Sequence, residues 1–261
     1  MPSWEVRSLS LQTELALAAT HGRVTDRADY TVVELPAMPT WAAGNYLALP
    51  RAPEAHELAS WVDRFDRELG RERALSLRWD DTTNDEPARE ALRAAGFTID
   101  DHDVMTGDAV LAPPHALAMR ALEPGEVLAT AVLAWNLADH HDEPFREFLH
   151  ARAAWQSDLV TRGLGAFWGC FDGAKLVASA GLVRFGALAR YQDVQTLPAY
   201  RRRGIAGALL ATAARDVRGA RFVIGATRGS DGQRVYERVG LRTTERASIA
   251  RRRRGPQAVP S

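Results

Sequence analysis

The sequence predicts an α/β protein made of two similar halves, each with a central mixed β-sheet flanked by helices. Short runs in which apolar and polar residues alternate are typical of strands, and longer runs with apolar residues three or four positions apart are typical of helices. Both kinds of run follow one another in the same order in the two halves. This repetition indicates a tandem duplication.

The first half contains two strands and two helices whose ends are marked by proline or glycine. The expected elements are a strand at 45–50, a helix at 53–69, a strand at 73–79 and a helix at 88–96. The helix at 53–69 is amphipathic, because Leu58, Trp61 and Phe65 lie on one face.

The second half repeats this order with additional elements in front. The expected elements are a strand at 118–122, helices at about 125–139 and 144–163, strands at 166–171, 176–183 and 187–196, a helix from 205, a strand at 221–227, a helix from 230 and a strand at 241–250. Asp172 and Gly173 are a hairpin signal. Because Pro113 and Pro114 mark a boundary, the predicted domains are 1–112, 115–250 and a flexible basic tail at 251–261.

The segment 192–206 joins a strand to a helix and is the most informative part of the chain. Pro198 ends the strand, because proline has no N–H for the ladder. After Gly204, apolar residues recur every four positions, which predicts a helix that stops near Gly219. The turn therefore brings a cluster of arginines and a glycine to the start of a helix.

The start of this helix is an expected phosphate site. Backbone N–H groups in the first turn of a helix have no intrahelical partner, and the helix dipole is positive there. Gly204 and Ala206 are small, so a pyrophosphate can approach the backbone closely. The alternative interpretation is an ordinary strand-to-helix turn with exposed arginines.

Arg201, Gly204 and Ala206 fit the pattern Q/R-x-x-G-x-G/A, and by this pattern the chain resembles the GCN5-related N-acetyltransferases, the GNAT superfamily. The segment fits neither a dinucleotide-binding G-x-G-x-x-G nor a P-loop. The resemblance implies tandem GNAT-like domains with acetyl-CoA as co-substrate, held by the backbone of one strand and by the helix start. The residues implied for coenzyme binding are Val194, Gln195, Thr196, Arg201, Arg202, Arg203, Gly204, Ile205, Ala206 and Gly207.

A second segment strengthens the resemblance. Ser230 is expected to cap a helix, with Gln233 reaching back to it. Residues 234–241 resemble the closing helix of the family, A-x-x-l-Y-e-k-x-G-F, with leucine in place of the final phenylalanine. The family has this tyrosine near the coenzyme A sulfur, so the resemblance implies that Tyr236 is the general acid. The family often has an asparagine seven residues earlier, where this chain has Gly229.

The base that deprotonates the acceptor amine is expected on the strand at 187–196. Asp193 is our candidate, because it lies on the strand that should carry the thioester, where Gln192 can orient it or a water molecule. The family commonly has a bulge in this strand, so alternation does not settle which way Asp193 points. The alternatives are that Asp193 faces solvent or caps a turn.

The first half has the same order of elements without the chemistry. Its segment 51–57 has no glycine and carries an acidic residue where a phosphate would lie. Leu92 occupies the place of the tyrosine. The first half is therefore expected to be a degenerate copy that binds no coenzyme.

Composition limits the function further. The 261 residues include 33 basic and 33 acidic side chains, and a net charge of zero gives no reason to expect nucleic-acid binding. No apolar run approaches the roughly 20 residues that span a membrane, and the start of the chain has no signal-peptide pattern. The single cysteine, Cys170, excludes an internal disulfide. We expect a cytoplasmic protein without a metal, in which His140, His141 and Asp142 form a solvated loop.

These residues and the resemblance predict an N-acyltransferase that moves an acetyl group from acetyl-CoA to an amine of a small molecule or a peptide, by direct attack on the thioester. The alternative is a non-catalytic acyl-CoA sensor or interaction module, which would bind the coenzyme without turnover. The expected assembly is a monomer, in which the two halves form a pseudo-dimer, or a homodimer.

Overall fold

The computed structural model describes residues 2–80, 86–139 and 141–254. The strands are β1 (Arg23–Asp26), β2 (Thr31–Glu34), β3 (Tyr46–Leu49), β4 (Leu75–Trp79), β5 (Thr98–Gly107), β6 (Ala118–Ala121), β7 (Gly165–Asp172), β8 (Lys175–Phe185), β9 (Leu188–Thr196), β10 (Arg221–Ala226) and β11 (Arg242–Arg252). The helices are α1 (Leu9–Ala18), α2 (Leu58–Leu69), α3 (Glu86–Ala94), α4 (Leu128–Trp135), α5 (Glu143–Thr161), α6 (Ile205–Ala214) and α7 (Asp231–Arg238). The predicted α/β class is confirmed.

The expected elements are present, with small differences at their ends. The hairpin signal is confirmed, because β7 ends at Asp172 and Gly173 has a φ of 59°. The helix expected at 125–139 is shorter, since α4 covers Leu128–Trp135. The prediction missed α1, β1, β2 and β5. In α1 the leucines at 9, 11, 15 and 17 are mostly two positions apart, a spacing that is typical of a strand.

The chain divides into two compact units. The first consists of the residues up to Asp103 together with those from Glu245 onward, and the second is Val104–Thr244. The domain bounds 1–112 and 115–250 were drawn at Pro113 and Pro114, and they remain a prediction.

The last arginines of the described chain are not part of a free tail. Arg251 and Arg252 belong to β11, so the strand reaches two residues beyond the expected 250. Arg251 pairs with Asp100 and Arg254 with Asp66. Their backbone and side chains are therefore held by the first unit. The rest of the expected tail lies outside the described residues.

The two units share one strand order. In the first unit, β1, β2 and β3 are antiparallel neighbours and β4 is parallel to β3. In the second unit, β6, β7, β8 and β9 are antiparallel neighbours and β10 is parallel to β9. In both units a helix, α2 or α6, connects the two parallel strands. This shared order agrees with a duplication.

Each unit is completed by a strand from the other half of the sequence. In the first unit β4 pairs with the end of β11, from Ile249 opposite Arg78 to Arg252 opposite Leu75. In the second unit β10 neighbours β5. The carboxylate of Glu245, at the start of this part of β11, accepts hydrogen bonds from the Leu9 N–H at 3.0 Å and caps α1. The first unit therefore depends on residues from the far end of the chain.

Removal of residues 245–261 should unfold the first unit or destabilise it by about 3 kcal/mol or more. The variant loses the buried Ile249, worth about 2 kcal/mol, and a helix cap, worth about 1 kcal/mol. Chemical denaturation followed by circular dichroism measures the change. The matched control is a chain that ends at Arg254, which keeps β11. Equal unfolding midpoints for the two chains would contradict the completion of the first unit by β11.

Candidate functional site

The parallel strands β9 and β10 are in register only at their beginning. Their paired residues are Leu188 with Arg221, Ala189 with Phe222 and Arg190 with Val223. Beyond this point β9 continues to Thr196, and its other edge stays paired with β8 as far as Ala178. The edge of β9 at residues 191–196 therefore has no registered partner in β10, and an extended ligand with amide groups can pair with it.

A β-bulge interrupts β9 at the middle of this edge. Gln192 lies opposite Gly181 and Gln195 lies opposite Ser179, so β9 has one residue more than β8 over this stretch. Asp193 lies in this bulge and has a φ of 46°. This left-handed conformation costs a non-glycine residue about 1 kcal/mol. The bulge implied by the resemblance is present.

The bulge directs the Asp193 side chain to helix α5. Nε2 of Gln156 donates a hydrogen bond to Oδ2 of Asp193. A guanidinium nitrogen of Arg152 lies 3.1 Å from Oδ1, in an ion pair whose side chains are 19% and 23% exposed. Asp193 therefore neither faces open solvent nor caps a turn, and its charge is matched by a neighbouring cation.

Three buried polar atoms near the bulge have no hydrogen-bond partner among the described residues. They are Oγ of Ser179, Nε2 of Gln192 and Oε1 of Gln195. Ser179 and Gln195 lie opposite each other in the β8–β9 register, so their side chains share one face of the sheet. Buried polar groups normally have partners. This set of a hydroxyl, an amide donor and an amide acceptor is suited to a polar ligand.

The start of α6 is open. Gly204 precedes the helix with a φ of 80°, and no side chain caps the helix. A Cβ at Gly204 would meet no atom within 4 Å, so the space beside the backbone is open at this position. Arg202 also has a positive φ, of 61°. Positive φ angles that alternate with negative ones turn successive N–H groups toward one side. The local geometry is that of an anion site.

The other residues expected at this helix start have different roles. Ile205 is buried in the core of the second unit, so its backbone alone can reach a ligand. A Cβ at Gly207 would lie 3.1 Å from a methyl carbon of Val239, so this glycine allows α6 to approach α7. Ala206 is half-buried. Small residues at 206 and 207 therefore serve both the loop and the packing of α6.

The arginines of the loop are exposed and partly anchored. Nε of Arg201 donates to the carbonyl oxygen of Thr196 at 3.1 Å, which ties the loop to the end of β9. The guanidinium of Arg203 lies 5.2 Å from the ring centre of Tyr200. Nε2 of His115 lies 3.1 Å from the Arg203 carbonyl oxygen. Sequence reasoning gave neither His115 nor Tyr200 a role, although Tyr200 lies within the segment 192–206.

The side chain of Tyr236 is buried at the side of α6. It belongs to the core cluster that includes Val239 and Ile205, against which Val194 of β9 also packs. Burial raises the pKa of the Tyr236 phenol to about 12. No described residue donates or accepts a hydrogen bond at the phenol oxygen. Tyr236 is therefore a neutral phenol at physiological pH.

Ser230 caps α7 as predicted, because its side chain accepts a hydrogen bond from the Gln233 N–H at 3.1 Å. Gln233 reaches back one residue further than expected, since its Oε1 accepts from the Gly229 N–H at 2.6 Å. The hydrogen bond from Arg234, followed by the charges of Arg202 and Arg201, lowers the pKa of Asp231. The start of α7 thus lies within electrostatic reach of the loop arginines.

An aromatic row leads along α4 and α5 to the Asp193 ion pair. The rings of Trp135 and Phe145 are stacked with their centres 6.0 Å apart, and those of Phe145 and Phe148 are 6.3 Å apart. The guanidinium of Arg152 lies 5.2 Å from the ring centre of Phe148. These side chains form an aromatic row that ends at Arg152, the ion-pair partner of Asp193.

Within the described residues, no three histidine, cysteine or acidic side chains form a group that could hold a metal ion. His140, from the histidine pair considered in the sequence, lies outside the described residues. No helix in the described ranges has both the length and the apolar character needed to cross a membrane.

Comparisons with known proteins agree with this geometry. The sequence model of the Acetyltransferase (GNAT) family matches residues 128–241, which include the β9 edge, the α6 loop and α7. No curated protein matches the chain.

Solved structures of low sequence identity share the fold. A GCN5-related N-acetyltransferase from Kribbella flavida has a TM-score of 0.68 at 17% identity, covering 95% of this chain and 97% of its own. A functionally unknown conserved protein from Staphylococcus epidermidis has a TM-score of 0.70 at 13% identity, covering 88% and 94%. A tandem GNAT protein from the clavulanic acid biosynthesis pathway has a TM-score of 0.57 at 16% identity, covering 89% and 81%.

Residues 128–241 therefore match the GNAT acetyltransferase family, and the chain has the fold of tandem GNAT proteins.

Proposed function

We propose that the chain is an N-acetyltransferase that moves an acetyl group from acetyl-CoA to an amine of a small molecule or a peptide. The observation that carries the proposal is the continuity of two features. The free edge of β9 runs through the arginine loop directly into the open start of α6. This combination suits a ligand with an amide-containing arm and a pyrophosphate, which acetyl-CoA has.

The proposed coenzyme contacts are mainly to the backbone. The peptide groups of Val194, Gln195 and Thr196 pair with the pantetheine arm along the free edge of β9. The N–H groups of residues 202–207 hold the pyrophosphate, since the helix dipole and the unpaired donors both favour an anion. The exposed side chains of Arg201, Arg202 and Arg203 add positive charge.

The proposed chemistry assigns the two proton transfers to opposite faces of the sheet. Asp193, beside α5, accepts the proton that the acceptor ammonium loses as its nitrogen attacks the thioester carbonyl. A backbone N–H of β9 stabilises the developing oxyanion, which is worth about 3 kcal/mol in a site without water. Tyr236, beside α6, donates its proton to the departing thiolate. The products are an N-acetylated amine and free coenzyme A.

In the first unit, the described helix start that corresponds to α6 is closed by carboxylates. The helical turn at Ala55–Glu57, which leads into α2, is capped by its own side chains, since Oε2 of Glu57 accepts from the Glu54 N–H at 2.9 Å. Arg51 also pairs with Glu57, at 2.8 Å. Carboxylates therefore take the place that a phosphate would need, which supports one coenzyme site per chain.

An acyl-CoA sensor without turnover is the second candidate. The observation in its favour is that both oxygens of Asp193 already have partners, Arg152 and Gln156. A screen of amine acceptors with detection of the released thiol separates the two candidates, since a sensor binds acetyl-CoA and releases no thiol in excess of a no-acceptor control.

Gly204→Glu should abolish acetyl-CoA binding or weaken it at least about 100-fold, or 2.8 kcal/mol, because the side chain places a negative charge at the phosphate site. Calorimetry on the unaltered chain should give one coenzyme per chain. Gly163→Glu is the matched control, since Gly163 also has a positive φ, of 66°, with no atom near its Cβ position. The same affinity in both variants would exclude the loop as the phosphate site.

Tyr236→Phe should lower kcat at least about ten-fold and leave the acetyl-CoA Kd unchanged, because the proton is donated only as the thiolate leaves. With a pKa of about 12, the phenol stays protonated, so kcat should show no alkaline loss below about pH 10. Tyr191→Phe is the control, since the Tyr191 hydroxyl donates to the Leu210 carbonyl at 2.8 Å inside the same core. A Tyr236→Phe enzyme with unchanged kcat would make this tyrosine structural.

Asp193→Asn should lower kcat/KM at least about 100-fold with little change in coenzyme affinity, since an amide cannot accept the ammonium proton. Asparagine tolerates the left-handed backbone at this position, so the fold should survive. Asp158→Asn on the surface of α5, which removes the Asp158–Arg162 pair, is the control. Full activity of Asp193→Asn would rule out Asp193 as the base.

A further inference from the structure

A buried amide connects Asp193 to helix α4. Gln156 is 4% exposed; its Nε2 donates to Oδ2 of Asp193, and its Oε1 lies 3.1 Å from the hydroxyl oxygen of Thr130. Thr130 is 2% exposed, and its hydroxyl oxygen also lies 2.7 Å from the carbonyl oxygen of Val127. A hydroxyl has one proton. Thr130 therefore donates to Gln156 or to Val127, and not fully to both.

The same heavy atoms support two complete hydrogen-bond patterns. In the first, Asp193 is ionised, Gln156 donates to it, and Thr130 donates to the amide oxygen. In the second, Asp193 carries a proton on Oδ2 and the amide is turned by half a rotation. The amide oxygen then accepts from Asp193, the amide nitrogen donates to Thr130, and Thr130 donates to Val127. The exchange of amide oxygen and nitrogen requires no other heavy atom to move.

The surroundings direct the proton to the amide side of Asp193. Arg152 lies 3.1 Å from Oδ1 and can only donate, so a proton on Oδ1 would face a donor. The other charged side chain on this face of β9 is Arg190. Helix α4 has no charged residue, and Ser179 and Gly181 of β8, opposite the bulge, are uncharged. Oδ2 is therefore the oxygen that gains and loses the proton.

We propose that Gln156 is a positioning residue that follows the protonation state of Asp193 by rotating its side-chain amide. This inference rests on the proposed function, because it takes Asp193 as the base. When Asp193 receives the proton of the acceptor ammonium, Gln156 turns from donor to acceptor. When that proton passes to solvent, Gln156 turns back. A partly buried base thereby keeps a hydrogen-bond partner in both states.

Replacement of the amide at Gln156 and removal of its partner hydroxyl at Thr130 should shift the titration midpoint of Asp193 in opposite directions. Gln156→Glu keeps the shape and can only accept while ionised, so two neighbouring carboxylates should raise the midpoint by about one pH unit or more. Thr130→Val leaves the side-chain amide oxygen of Gln156 unpaired in the first pattern and a side-chain N–H of Gln156 unpaired in the second. A buried unpaired N–H is the rarer case, so Thr130→Val should lower the midpoint. Thr130→Ser keeps the hydroxyl and should restore it.

Carbon-13 NMR of the aspartate carboxyl carbons in the full chain measures the titration, with Asp193→Asn to assign the resonance. If the Gln156 amide donated to Asp193 in both protonation states, Thr130→Val would raise the titration midpoint of Asp193 or leave it unchanged. Either result would overturn the proposal. If Gln156→Glu does not fold, the Thr130→Val and Thr130→Ser pair decides alone. The base assignment is tested separately. Full turnover by Asp193→Asn would overturn that assignment, whereas the titration of Asp193 measured in the unaltered chain would stand.

Discussion

The divergence of β9 from β10 is the constraint on which the rest of the second unit depends. Two parallel strands that separate after their first paired residues leave one strand edge without a partner. β9 keeps its position because β8 holds its other edge as far as Thr196. The chain then passes through the arginine loop into α6, so one continuous segment presents peptide groups first and an uncapped helix start next.

The bulge in β9 determines what stands beside that edge. One extra residue places Asp193 in the left-handed region, and the strain is offset by the ion pair with Arg152 and the hydrogen bond from Gln156. Both partners lie on α5, one helical turn apart. The aromatic row on the same helix continues from Arg152 through Phe148. A single helix therefore supports the carboxylate and carries two of the three aromatic side chains in the row.

The sequence predicted features that depend on neighbouring residues, and it missed those that depend on distant ones. The open start of α6 at Gly204 and the Ser230 cap are local, and both were expected. The direction of Asp193 depends on a bulge whose register is set by β8, so strand alternation did not reveal it. Gln156 lies 37 positions before Asp193 and belongs to no motif. The completion of the first unit by β11 was likewise not visible, because the pairing of β4 with β11 joins opposite ends of the sequence.

β11 pairs with β4 of the first half, and β5 neighbours β10 of the second half. This arrangement limits which deletions the protein can tolerate. A half that has lost its own site would ordinarily be free to accumulate deletions. Here, however, a deletion of the first half would also remove β5, the neighbour of β10, and so unsettle the half that retains the acetyltransferase motif. Loss of the first half would therefore cost the second half a neighbouring strand, whether or not the first half binds a ligand.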